Sequence, residues 1–153
     1  MLKNIMSYSV INLLGLWVLF AGVVTAGETQ QNDFFEPEHK VVIQVSSNDP
    51  QTHNIVLNNA VNLQKAFGID NVAIEVVAYG PGLSIFTPKS PASERVPSLA
   101  MQNISFSLCG NTLEKVTKKK GKAPTIVDGV KIVQSGAMRI VELQEQDYAY
   151  LRP

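Results

Sequence analysis

The residues of this chain that could do chemistry are one cysteine, two histidines and a few short segments rich in glycine, serine and asparagine. Cys109-Gly110-Asn111-Thr112 follows residues 104–108, which alternate apolar and polar as a strand with one buried face would. Cys109 therefore falls at the carboxyl end of a strand and just before a helix. The helix dipole and unpaired N–H groups at such a place favour an anion, and a thiolate is one. Cysteines so placed can ionise several units below about 8.5. The competing role is packing, because a free cysteine behaves as a small apolar side chain. Ser46-Ser47-Asn48, Gly80-Pro81-Gly82 and Ser135-Gly136 are expected at the same carboxyl rim, where ligands of open parallel sheets bind. Asn48, Gly80, Gly82, Gly110, Asn111 and Thr112 are the candidate ligand-binding residues around Cys109, with the amides of Asn111 and Thr112 facing the sulfur.

The other candidates have plainer explanations. Gly80-Pro81-Gly82 lacks the spacing of a phosphate-binding loop and reads equally as a turn. His53 lies in the first turn of a helix and reads as an exposed residue there; His39 precedes a strand and reads as solvated. Glu75 is a charge inside a strand, which implies either an edge strand or a sheet face covered by a partner subunit. Lys118, Lys119, Lys120 and Lys122 complement the dipole at a helix end. No GxSxG, HExxH or CxxC motif occurs, so the hydrolase, zinc-protease and dithiol signatures are missing. Neither a metal site nor a cofactor is implied. Thirteen Lys+Arg balance thirteen Asp+Glu, which removes the basic footprint of a nucleic-acid binder.

The elements that must hold these residues alternate. Residues 40–46 are β-branched almost throughout, as in a strand covered on both faces. Asp49-Pro50 follows, an N-cap residue with proline at the first helical position. Val56, Ala60, Leu63 and Phe67 then mark the apolar stripe of a helix closed by Gly68. Residues 71–79 form the next strand, and the helix between makes the two strands parallel with a right-handed crossover. Residues 80–103 are a long connection in which Ser98 to Gln102 could end a helix, while Pro97 would interrupt one begun at Pro91. Asn111 with Glu114 has capping-box spacing for a helix ending at Gly121. Residues 130–134 give a fourth strand, Ser135 opens a last helix, and residues 148–152 close with a short strand. Asp128-Gly129 could instead turn a hairpin between residues 125–127 and 130–132. The pattern predicts a three-layer α/β sandwich with a mostly parallel, about five-stranded sheet.

The amino-terminal part reads as an address. Lys3 precedes an apolar run over residues 10–24, and Val24-Thr25-Ala26 has the small residues of a signal-peptidase site. As a helix that run would span about 22 Å, short of a hydrocarbon core of roughly 30 Å. A signal peptide over residues 1–26, cleaved after Ala26, and a periplasmic or secreted product are expected, with an uncleaved anchor as the alternative. Residues 27–38 read as a flexible acidic lead-in and residues 39–153 as one domain. A lone cysteine in an exported chain cannot pair within its own molecule.

Cys109-Gly110-Asn111-Thr112-Leu113, residues 130–133 with Ser135-Gly136, residues 140–144 and the ending Tyr148-Ala149-Tyr150-Leu151-Arg152-Pro153 resemble the DsrE/DsrF-like family. The likeness extends over roughly residues 38–153. It implies a sheet with helices on both faces in flavodoxin-like layering, homotrimers or hexamers, and a link to sulfur metabolism. In relay members a rim cysteine accepts a sulfane sulfur as a persulfide and passes it to a partner protein, and Cys109 matches that position. The alternative is a non-catalytic oligomeric module that binds a small anion or a partner, with Cys109 structural. No general base accompanies Cys109, so a sulfur carrier or transferase is the most that the pattern implies.

Overall fold

The computed structural model describes residues 36–153. The expected signal peptide, its cleavage point and most of the lead-in lie outside the described residues. Five strands form one sheet: β1 (His39–Val45), β2 (Val72–Ala78), β3 (Ile104–Cys109), β4 (Val130–Val133) and β5 (Ala149–Leu151). Their spatial order is β4-β3-β2-β1-β5, and all four neighbouring pairs run parallel. The hairpin at Asp128-Gly129 does not form; β4 pairs only with β3, and residues 123–127 are not a strand.

The connections follow from local sequence. Asp49 caps α1 (Pro50–Phe67) by accepting from the Thr52 N–H at 2.7 Å, and Gly68 ends it at a φ of 93°. The link from β2 to β3 winds through two 3-10 turns, Gly80–Phe86 and Pro91–Arg95, into the short α2 (Val96–Ala100). Pro97 divides this stretch as expected, yet it is accommodated in the first turn of α2, where a missing N–H costs nothing. Residues 110–120 form α3 (Gly110–Lys120) and residues 136–144 form α4 (Gly136–Gln144).

Right-handed crossovers decide the layers. The steps β1 to β2, β2 to β3 and β3 to β4 all progress towards one edge, so α1, α2 and α3 share a face. The step from β4 to β5 runs back across the sheet and puts α4 alone on the other. Val41, Ile43, Ile74, Val76, Phe106 and Leu108 point into the first face and pack on Val56, Leu57 and Ala60 of α1 in the main core. The second face has a small apolar patch, Val42 and Val77 against Ile140 and Leu143 of α4. This is the three-layer α/β sandwich, with one helical layer far thinner than the other.

Candidate functional site

Cys109 is the last residue of β3 and the residue immediately before α3, with no loop between. Alternation along β3 sends Ser105, Ser107 and Cys109 to the face that carries α4, opposite to Ile104, Phe106 and Leu108. The helix starts earlier than its spacing predicted. Asn111 is not the cap; Cys109 occupies the N-cap position, and Glu114 pairs with Lys118 at 2.6 Å instead of reaching back to the helix start. The capping-box spacing was a coincidence of residue types, overridden by the direct run of strand into helix.

The cap position explains the electrostatics. The neutral thiol makes no strict capping hydrogen bond, but the N–H groups of Asn111 and Thr112 lie where a cap atom draws them. Burial pushes the Cys109 thiol up. The Thr112 hydroxyl, then the N–H groups of Gly136, Thr112 and Asn111, pull it down by more, so its pKa lies below the ordinary thiol value. Thr112 is itself oriented: its Oγ1 accepts the Gly80 N–H at 2.9 Å, which leaves the hydroxyl proton for the sulfur. Gly80 reaches that position with a φ of 55°, in the left-handed region where glycine carries no steric penalty.

Three of the six candidate ligand residues thus converge with Cys109: Gly80 through Thr112, and Asn111 and Thr112 directly. The N–H of Asn111 is also within 3.3 Å of the Gln134 carbonyl. Gly110 serves close packing, since a Cβ there would lie 3.0 Å from the Val133 carbonyl oxygen. Gly82 is committed elsewhere: its N–H donates to the Tyr79 carbonyl, and a Cβ would fall 2.1 Å from the Val45 carbonyl oxygen. Asn48 is exposed beyond β1 and its side chain makes no hydrogen bond among the described residues. The thiol is more covered than a residue at an open rim would be, at 5 % exposure.

Sequence reasoning missed Arg139 and the packing role of Gly136, and it left Glu75 ambiguous. Gly136 packs against the site: a Cβ there would meet the Cys109 and Tyr79 Cβ atoms at 3.1 and 3.0 Å. Glu75 is on β2, the central strand, so the edge reading fails; its carboxylate is held by Arg139 of α4 and by Ser107. The polar alternation Ser105, Ser107, Cys109 was the signal available for this face. His53 is the opposite case. It is 1 % exposed and not a solvated first-turn residue: Nε2 donates to the Ser47 carbonyl at 2.9 Å and Nδ1 accepts from the Ser90 hydroxyl at 3.0 Å. Those bonds tie α1 to the loop after β1 and to the connection after β2, on the far side of the sheet from the sulfur.

A cleft of about 270 Å³ opens over β3 and β4, lined by Glu75, Ser105, Ser107, Lys131, Gln134 and Arg139 among others; Cys109 is not part of its lining. A thiol with a lowered pKa can act as a nucleophile towards a small electrophilic sulfur once a reagent reaches it.

No family model and no curated protein matches the chain. Among solved structures it is similar to MTH1491, a protein of unknown function from Methanobacterium thermoautotrophicum. The two are 32 % identical with a TM-score of 0.66, over 75 % of this chain and 99 % of that one. Identity at that level over nearly the whole archaeal protein means that the chain belongs to the same family as MTH1491.

Proposed function

We propose that this chain is an exported sulfur carrier of the DsrE/DsrF-like type that holds sulfane sulfur as a persulfide on Cys109. The reading is carried by the place of Cys109, the N-cap residue of α3 at the carboxyl end of β3, packed against Gly136, with a pKa that the neighbouring Thr112 hydroxyl and backbone N–H groups lower. The step needs no metal and no second cysteine. The Cys109 thiolate attacks the outer sulfur of a small hydropersulfide, R–S–SH; the donor's S–S bond breaks as the new one forms. The thiolate R–S⁻ leaves with the electron pair, and Cys109 is left as Cys–S–SH. Sulfur at the same oxidation level is handed on, so no outside oxidant enters. The donors around Cys109 stabilise the attacking thiolate and, afterwards, the persulfide anion.

Assembly into homotrimers or hexamers is part of the same proposal. Its support is apolar side chains left open: Val141 is 53 % exposed and Met138 46 % on α4, and Ile132 is 62 % exposed on the edge strand β4, facing the other layer. A sulfur donor or acceptor protein would approach the same rim. Export with cleavage after Ala26 rests on the amino-terminal residues alone.

Intact-mass measurement of the protein, before and after exposure to inorganic polysulfide, tests the carrier. A gain of one sulfur atom, absent in Cys109→Ser, is the expected result. A second reading, a non-catalytic anion- or partner-binding module with Cys109 as packing, is favoured by the low exposure of the thiol. It predicts no mass gain in the folded protein and labelling of Cys109 only after unfolding, and either outcome overturns the carrier. The unexposed sample also reports whether residues 1–26 have been removed.

A further inference from the structure

The Glu75–Arg139 pair has no role in the thiol chemistry just described, yet it is the costliest feature of the face on which Cys109 lies. Glu75 is on the central strand with its side chain 8 % exposed. Arg139 grips it as a fork, Nε to Oε1 at 2.9 Å and Nη2 to Oε2 at 2.7 Å. Ser107 adds a third hydrogen bond to Oε1 at 2.6 Å. Taking two charges out of water is expensive, and apolar residues of similar volume often stabilise a fold as well or better. Retention of such a pair suggests a geometric task.

That task is visible in α4. The helix buries only two large apolar side chains, Ile140 and Leu143, and both lie in its second half. Its first turn has Ala137 and Met138 exposed, so no apolar anchor holds it down. Arg139 is one turn beyond Gly136, which packs so closely on Cys109 that a Cβ there would lie 3.1 Å from the Cys109 Cβ, and whose N–H favours the thiolate. Ser107, the third partner of the carboxylate, is two residues from Cys109 on the same face of β3. The pair therefore ties the otherwise loose start of α4 to the two strands beside the thiol. The charged and titratable groups around it are Lys131 on β4, Glu142 on α4 and Tyr148 before β5.

We propose that Glu75 and Arg139 are positioning residues that hold the first turn of α4 over Cys109, setting both the acidity and the exposure of its sulfur. The proposal rests on the reading of Cys109 as a reactive thiol. Releasing the turn removes one donor from the sulfur and uncovers it, so acidity falls while access rises. Those two effects act in opposite directions on reactivity, and a general loss of stability would not separate them.

The test is the alkylation rate of the full chain by iodoacetamide as a function of pH, for wild type, Arg139→Met, Arg139→Lys and Ser107→Ala. The wild-type midpoint examines the thiol reading; the difference between wild type and variants examines the positioning role. Arg139→Met is expected to move the midpoint up by about one unit, lowering the thiolate fraction near pH 6 about tenfold, while the alkaline plateau rises above wild type, so the rate near pH 6 falls by less than that factor. Arg139→Lys, which keeps the charge and loses the fork, falls between. Ser107→Ala removes only the third hydrogen bond and keeps the fold, so it should move both quantities the same way by less. Variant profiles that superimpose on a wild type with a lowered midpoint overturn the positioning role and leave the thiol reading standing. A wild-type midpoint at the ordinary thiol value overturns both.

Discussion

The two faces of the sheet use the same strands for different ends. Towards α1, α2 and α3, strand β3 presents Ile104, Phe106 and Leu108, all buried in the main core. Towards α4 the same strand presents Ser105, Ser107 and Cys109, and its neighbour β2 presents Glu75. One face gains its free energy from apolar burial; the other gives up part of that burial for hydrogen bonds among Ser107, Glu75 and Arg139. A parallel sheet buried on both faces usually reads as a continuous apolar run. The departure from that rule in β3 marks the face that holds Ser107, Glu75 and Arg139 together.

Adjacent substitutions on β3 test the contrast most strongly. Phe106→Ala should cost about 3–5 kcal/mol in denaturant unfolding while leaving the thiol's acidity intact in the protein that remains folded. A cost below about 1 kcal/mol would break the division of labour between the faces. Gly136→Ala comes next. Its methyl would crowd Tyr79 and Cys109 and lift the first turn of α4, at about 1–3 kcal/mol, with a rise in the midpoint for Cys109 alkylation. An unchanged midpoint would detach α4 from the site.

Glu75 sharpens the comparison through pH. Burial alone would push its carboxyl up, but Arg139 and Ser107 hold it below the usual carboxylate value. A folded-state pKa below the unfolded one adds stability that is complete above the ordinary carboxylate range and lost as pH falls through the lowered value. The stability gap between wild type and Glu75→Gln should therefore be widest near neutrality and shrink in acid. A gap constant with pH would mean that the pair contributes no linked stability. The smallest effect belongs to Ser135, which caps α4 by accepting the Met138 N–H at 3.4 Å. At that length Ser135→Ala should cost about 0.5 kcal/mol, the low end for a cap, readable as a small shift in denaturation midpoint.

How far the sequence was legible depended on the range of the contacts. α1 could be read directly because Asp49, Pro50 and its apolar stripe are all local signals. So could β1, β2 and the placement of Cys109 between strand and helix. The start of α3 was misplaced because Asn111 and Glu114 imitate a capping box, whereas the chain leaves β3 without a loop. His53 was read as exposed because its partner Ser90 is 37 residues away, across a connection no periodicity describes. Glu75 was ambiguous for the same reason: Arg139 is 64 residues downstream, and only the sheet order puts β2 at the centre. Gly136 carried no chemical side chain to notice. Its contribution is a backbone N–H, delivered by the return of the chain across the second face.

Everything proposed for Cys109 depends on a thiolate that exists near neutral pH at a residue only 5 % exposed. Ultraviolet titration of thiolate absorbance in the folded protein, with Cys109→Ser subtracted as blank, measures that state without any reagent having to reach the sulfur. A midpoint clearly below about 8.5 is the result expected. A midpoint at or above that value would show that burial outweighs the Thr112, Asn111 and Gly136 donors and would contradict the account.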